Sequence, residues 1–101
     1  MSQVRRLGYC VDGVWKESKA TRYMPVTNSS TGEVIAEAPC CTKEEVLEAI
    51  AAARAAFGPW SSTPVPQRAQ LMFRFRALLE EHLDELTLLV STELGKNLDE
   101  A

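Results

Sequence analysis

"TKEEVLEAIAAARAAFGPW", residues 42–60, is where the chain stops alternating and starts repeating at helical spacing. Thr42 with Glu45 three residues on fits a capping box. The threonine hydroxyl accepts from the backbone of the third helical residue, whose carboxylate reaches back to the threonine N–H. Val46, Ile50, Ala53 and Phe57 then recur at steps of four, three and four, giving one apolar stripe. Gly58-Pro59 predicts the end of this helix, because glycine takes a left-handed cap and proline cannot continue. Strands are expected before Thr42 and helices after it.

Upstream, "YCVDGVW" sets Asp12-Gly13 between Tyr9/Val11 and Val14/Trp15. Asp-Gly favours a two-residue hairpin turn, since both positions need positive φ. A second pair of β-prone runs flanks Asn28-Ser29-Ser30-Thr31-Gly32, whose residues favour turns. Pro25 lies in the first of these runs and cannot donate to a ladder, so its strand belongs at an edge or is irregular there.

Downstream, a second helix begins near Pro64 or Pro66, where proline suits a first turn. Its expected core stripe is Leu71, Met72, Phe75, Leu78, Leu79 and His82. A third helix starts around Asp84, buries Leu86, Leu89 and Val90, and stops at Gly95. Asn97 with Asp99 and Glu100 resembles the start of another helix, with one turn of sequence left. A helix that short has nucleation cost without propagation, which favours a piece of something longer. The expected fold is α+β: N-terminal β-hairpins over 1–41, then three α-helices over 42–101, forming one segment.

The length of 101 residues would let a single domain bury roughly 60–65% of its unfolded surface. A net charge of −3 argues against nucleic acid as a partner. Arg68, Arg74 and Arg76 interleave with apolar positions and read as a solvated edge. Arg5-Arg6 resembles a twin-arginine signal, but Asp12 and Lys16 interrupt the apolar run that should follow. No stretch of eighteen apolar residues is present to span a bilayer, and a cytoplasmic location is expected.

Cys40 and Cys41 are the most reactive side chains here. With Cys10 they make three cysteines, an odd number that forms no disulfide framework. Neighbouring cysteines bridge only under severe strain, so reduced thiols are expected. Three cysteines and the distant His82, without C-x-x-C, do not make a zinc site. His82 lies among leucines with no oriented carboxylate and nucleophile to make it a general base, so a structural role is expected. Trp15 and Trp60 with Phe57 could form a binding platform, but Trp60 is better placed to lid the end of the first helix. The run from Glu80 to Glu85 reads as a solvated helix junction.

The order "TGEVIAEAP", "TKEEVLEAIAAARAAFGPW", "PVPQRAQLMFRFRALLEEHLDELTLLVSTELGKNLDEA" resembles the N-terminal region of the aldehyde dehydrogenase superfamily, over Tyr9 to Ala101. Glu93-Leu94-Gly95-Lys96 with Leu98 and Ala101 is similar to its E-x-G-K-x-L-x-x-A signature. Gln67-Arg68-Ala69, with Phe57 and Trp60 upstream, matches in spacing. Phe73-Arg74-Phe75 resembles most the methylmalonate-semialdehyde, coenzyme A-acylating branch. One departure is Asn28-Ser29-Ser30-Thr31-Gly32, where the family usually reads Asn-Pro-x-Thr-Gly. Serine there implies a looser connection without a different fold.

The resemblance implies oxidation of an aldehyde or semialdehyde. A cysteine thiolate attacks the carbonyl, hydride passes to NAD or NADP, and the thioester is released to water or coenzyme A. In the family those parts lie downstream of the matched region. No catalytic, cofactor-binding or metal residue is therefore assigned to this chain, which lacks a G-x-G-x-x-G as well. In some relatives an acidic residue of the E-x-G-K stretch and a carbonyl before the turn asparagine help hold a monovalent cation. Those positions would be Glu93 with Val26 or Thr27, although Glu93 reads first as a capping or salt-bridging carboxylate. By itself the chain is expected to be inert and to bind no cofactor. Its helices should leave an apolar face for the remainder of an enzyme or for self-association. The rival readings are a short non-catalytic protein-interaction module and a thiol sensor built on Cys40 and Cys41. With Thr42 as cap, Cys41 and Val46 instead hold the two positions of a hydrophobic staple, and Cys40 closes the last strand.

Overall fold

Asp12 and Gly13 take φ of 52° and 74°, the two positive values that a type I′ turn needs. The strands beside them, β2 (Tyr9–Val11) and β3 (Val14–Lys16), pair antiparallel with Val11 opposite Val14 and Tyr9 opposite Lys16. The computed structural model describes residues 4–101.

A second sheet has the order β1-β5-β4, built from β1 (Arg5–Arg6), β4 (Tyr23–Thr27) and β5 (Val34–Pro39). β4 runs antiparallel to β5 and lies at an edge, with its register shifting between Val26 and Thr27. That is where a strand containing Pro25 belongs. The turn between them is closed by Asn28, whose carbonyl accepts from Gly32 N at 2.7 Å and whose Oδ1 accepts from Ser30 N at 2.9 Å. β1 pairs parallel to β5 and was not foreseen from the sequence, because two residues are too few to show alternation. Its Arg6 spans the sheet. The guanidinium lies 3.6 Å from Glu37 of β5 and stacks over the Tyr23 ring of β4 at 4.5 Å.

α1 (Lys43–Ser62) starts as expected, with both halves of the Thr42–Glu45 capping box in place. It does not stop at Gly58-Pro59. The helix runs through Pro59 and ends at Thr63, which is extended. Gly58 has no Cβ to clash with the proline ring, so it can remain helical where another residue would be pushed out. Hydroxyls of Ser61 and Thr63 then take the carbonyls of Gly58 and Pro59, at 3.1 and 2.8 Å, in the last turn.

α2 (Val65–Glu81) is capped by Pro64 and carries Pro66 in its first turn. α3 (Leu83–Leu94) ends at Gly95, whose φ of 84° is the left-handed cap expected there. His82 is the junction, closing α2 and opening α3. After Gly95, Asn97 Oδ1 accepts from Glu100 N at 2.9 Å, holding a single turn.

The stripes do not form the core expected of them and leave the open apolar face that was also expected. Among the described residues only Val11, Ala36 and Glu45 are buried. Leu71, Met72, Phe75, Leu78 and Leu79 of α2 and Leu86, Leu89 and Val90 of α3 are all exposed, and so is His82. These stripes are real, but among the described residues little covers them. The surface of 8452 Å² is about one and a half times the ~5,700 Å² of a compact protein of this mass. The radius of gyration is 17.2 Å, against about 13 Å for a compact domain of this length. With extents of 48 × 37 × 16 Å, the molecule is a plate about as thick as one helix laid on one sheet. None of the described helices is long and apolar enough to cross a membrane.

One contact in the hairpin is tight enough to test. A Cβ at Gly8 would lie 2.4 Å from the Lys16 carbonyl oxygen, and backbone on both sides leaves little room to relax. Gly8→Ala is expected to cost about 1–3 kcal/mol, read as a lower midpoint in thermal unfolding followed by circular dichroism.

Candidate functional site

Glu45 is 7% exposed and is the buried charged residue of the described chain. Its Oε1 accepts from Ser18 Oγ at 2.6 Å and from Thr42 N at 2.9 Å, and its Oε2 accepts from Lys19 N at 2.9 Å. The Cys41 side chain beside it also favours the charged carboxylate, as the smallest contribution. These bonds, led by Ser18 and then the Lys19 backbone, outweigh burial and bring the carboxyl from its ordinary 4.5 down to about 2. Glu45 N returns a bond of 3.2 Å to Thr42 Oγ1. The capping box was legible in the sequence. Ser18 and Lys19 were not, because "KESKA" has no period and lies far away along the chain.

Close by, Lys16 of β3 pairs with Glu48 one turn into α1, and the hydrogen bond raises the Lys16 pKa. Tyr9 is raised too, first by burial and then by Glu48. Tyr9, Cys10, Val11, Cys41, Val46 and Ile50 help line one shallow depression where β2 meets α1. Cys41 and Val46 thus share the face that a staple requires. Cys40 N bonds Arg22 O at 2.9 Å and extends the β4–β5 pairing. All three cysteines are free thiols. The geometry places Cys41 beside Glu45 and Cys40 just past the end of β5.

The helix N-termini are where this fold could meet an anion such as a dinucleotide pyrophosphate. That of α1 already holds the Glu45 carboxylate. That of α2 loses donors to Pro64 and Pro66, and that of α3 carries Asp84 and Glu85 in its first turn. All three are therefore poor phosphate cradles.

At the far end of the plate the Asn28 turn docks on the end of α3. Ser29 N bonds Thr92 O at 3.1 Å, and Ser29 Oγ bonds the Glu93 carbonyl. The sequence paired Glu93 with Val26 or Thr27; the structure brings its backbone to Ser29, two or three residues further on. Its carboxylate is exposed and makes neither the cap nor the ion pair expected of it. Among the described residues no group of three His, Cys, Asp or Glu could hold a metal ion. His82 Nδ1 lies 3.2 Å from Glu85 at the exposed junction. Trp15, 76% exposed, sits on β3 opposite Cys10, while Trp60 lies within the last turn of α1.

The remaining feature is the open face of α2, where Leu71, Met72, Arg74, Phe75 and Leu78 line an almost wholly apolar groove of about 580 Å³. Residues 15–101 match the Aldehyde dehydrogenase family. The chain belongs to that family. It is 45% identical, over all 101 residues, to the malonate-semialdehyde dehydrogenase of Listeria monocytogenes serotype 4a (strain HCC23), and covers 21% of that protein. A crystal structure described as a methylmalonate-semialdehyde dehydrogenase of Sinorhizobium meliloti 1021, complexed with NAD, superposes with a TM-score of 0.90 at 29% identity. It is matched over 99% of this chain and 20% of its own. Aldehyde dehydrogenase C of Pseudomonas syringae, complexed with NAD+ and octanal, superposes with a TM-score of 0.81 at 33% identity, over 91% of this chain and 20% of that one. The chain spans about a fifth of the length of the relatives it matches, and it matches their N-terminal part. The names accord with the branch that Phe73-Arg74-Phe75 resembles.

In aldehyde dehydrogenase terms, Ser29 takes the place of the proline usual after the turn asparagine. The expected loosening is not what the structure shows. Both bonds to α3 come from groups that proline lacks, an N–H and a hydroxyl.

Two outcomes are expected. The Glu45 carboxyl is lowered in the folded chain, so its stabilisation is present above pH 4.5 and is lost as pH falls toward 2. Acid unfolding of the native chain should steepen within that window, and Glu45→Gln should flatten it; an unchanged acid profile would contradict the assignment. Ser29→Pro removes both bonds to α3, so hydrogen exchange should quicken around Ser91–Gly95 while α1 is unaffected.

Proposed function

We propose that these residues form the N-terminal scaffold of an NAD(P)-dependent aldehyde dehydrogenase of the semialdehyde class, whose product is an acyl-coenzyme A. The observation that carries the reading is the identity along the whole chain to malonate-semialdehyde dehydrogenases. The open apolar face of α2 and α3 supports it, since a face of that kind is stable only when another layer covers it. The partner is the remainder of the enzyme, and the location is the cytoplasm.

The chemistry of such an enzyme is covalent catalysis by a cysteine thiolate with hydride transfer to the nicotinamide. This chain contributes none of those groups. Cys41 lies beside Glu45, Cys40 follows the end of β5, and the helix N-termini are poor cradles for a dinucleotide. Its contribution is shape: a rigid β-to-α junction fixed at Glu45 and an apolar surface that lies against the cofactor-binding part.

The test is a chimera in which residues 1–101 replace the matching fifth of the Listeria malonate-semialdehyde dehydrogenase. Coenzyme A-dependent NADH formation from malonate semialdehyde is expected within about tenfold of the parent, equivalent to about 1.4 kcal/mol in the barrier. A chimera that assembles as the parent does yet forms no NADH would refute the scaffold role. Calorimetric titration of the separate chain with NAD+ or NADP+ should give no binding heat.

A further inference from the structure

We draw no further inference here: the strongest candidate, the open apolar groove along α2 lined by Leu71, Met72, Arg74, Phe75 and Leu78, carries nothing further, because nothing in the structure shows what covers it.

Discussion

The carboxylate of Glu45 joins the pieces of this structure that have no hydrophobic reason to stay together. One oxygen caps α1 through Thr42 N and receives Ser18 Oγ; the other receives Lys19 N from the segment after β3. The helix start and the segment after the first hairpin therefore share one anion. Where the buried apolar residues among those described are Val11 and Ala36, little else fixes the angle at which α1 leaves the sheet. A carboxylate suits that task because each bond to it is charge-assisted and directional, whereas apolar contact is neither. The position also lies in the first turn of a helix, where negative charge is favoured by the dipole. The same placement closes the α1 terminus to any anionic ligand.

Everything beyond that junction is one-sided. α2 and α3 turn leucines, phenylalanines and valines outward from a plate 16 Å thick. Periodicity made those stripes legible in the sequence, and the helices formed where it put them. It could not say what covers them, because a helix records that one face is apolar and not which neighbour removes it from water. Expecting a core within 101 residues assumed the neighbour was in the same hundred. The relatives the chain matches are about five times longer.

The other differences follow from local chemistry that a single signal misstates. Glycine before proline reads as a stop, yet glycine is also the residue that lets proline remain in a last turn. Arg5-Arg6 was weighed as an export signal, and its strand is visible only when β5 is present to pair with it. Ser18 and Lys19 meet Glu45 across 27 and 26 positions, a separation no local pattern reports. By contrast, Asp12-Gly13, Thr42–Glu45 and Gly95 were all read correctly. Each is fixed by backbone geometry within a few residues, so the signal and its cause lie in the same place.

Ser29 shows how one connection can be held by different physics. Proline in that turn would restrict the unfolded chain and so favour the fold through entropy, without touching α3. Serine gives up that restriction and regains a donor N–H as well as a hydroxyl, which reach Thr92 and Glu93. The turn becomes a clasp whose strength depends on α3 being in place. Conversely, the end of α3 depends on the turn: Gly95 passes so near that a Cβ on it would touch the Ser29 side chain at 3.5 Å. The clasp couples β4 and β5 to the last helix, while Glu45 couples the first hairpin to the first helix. Each sheet is thereby tied to the helical layer at a polar contact, and the apolar surface between those ties stays open.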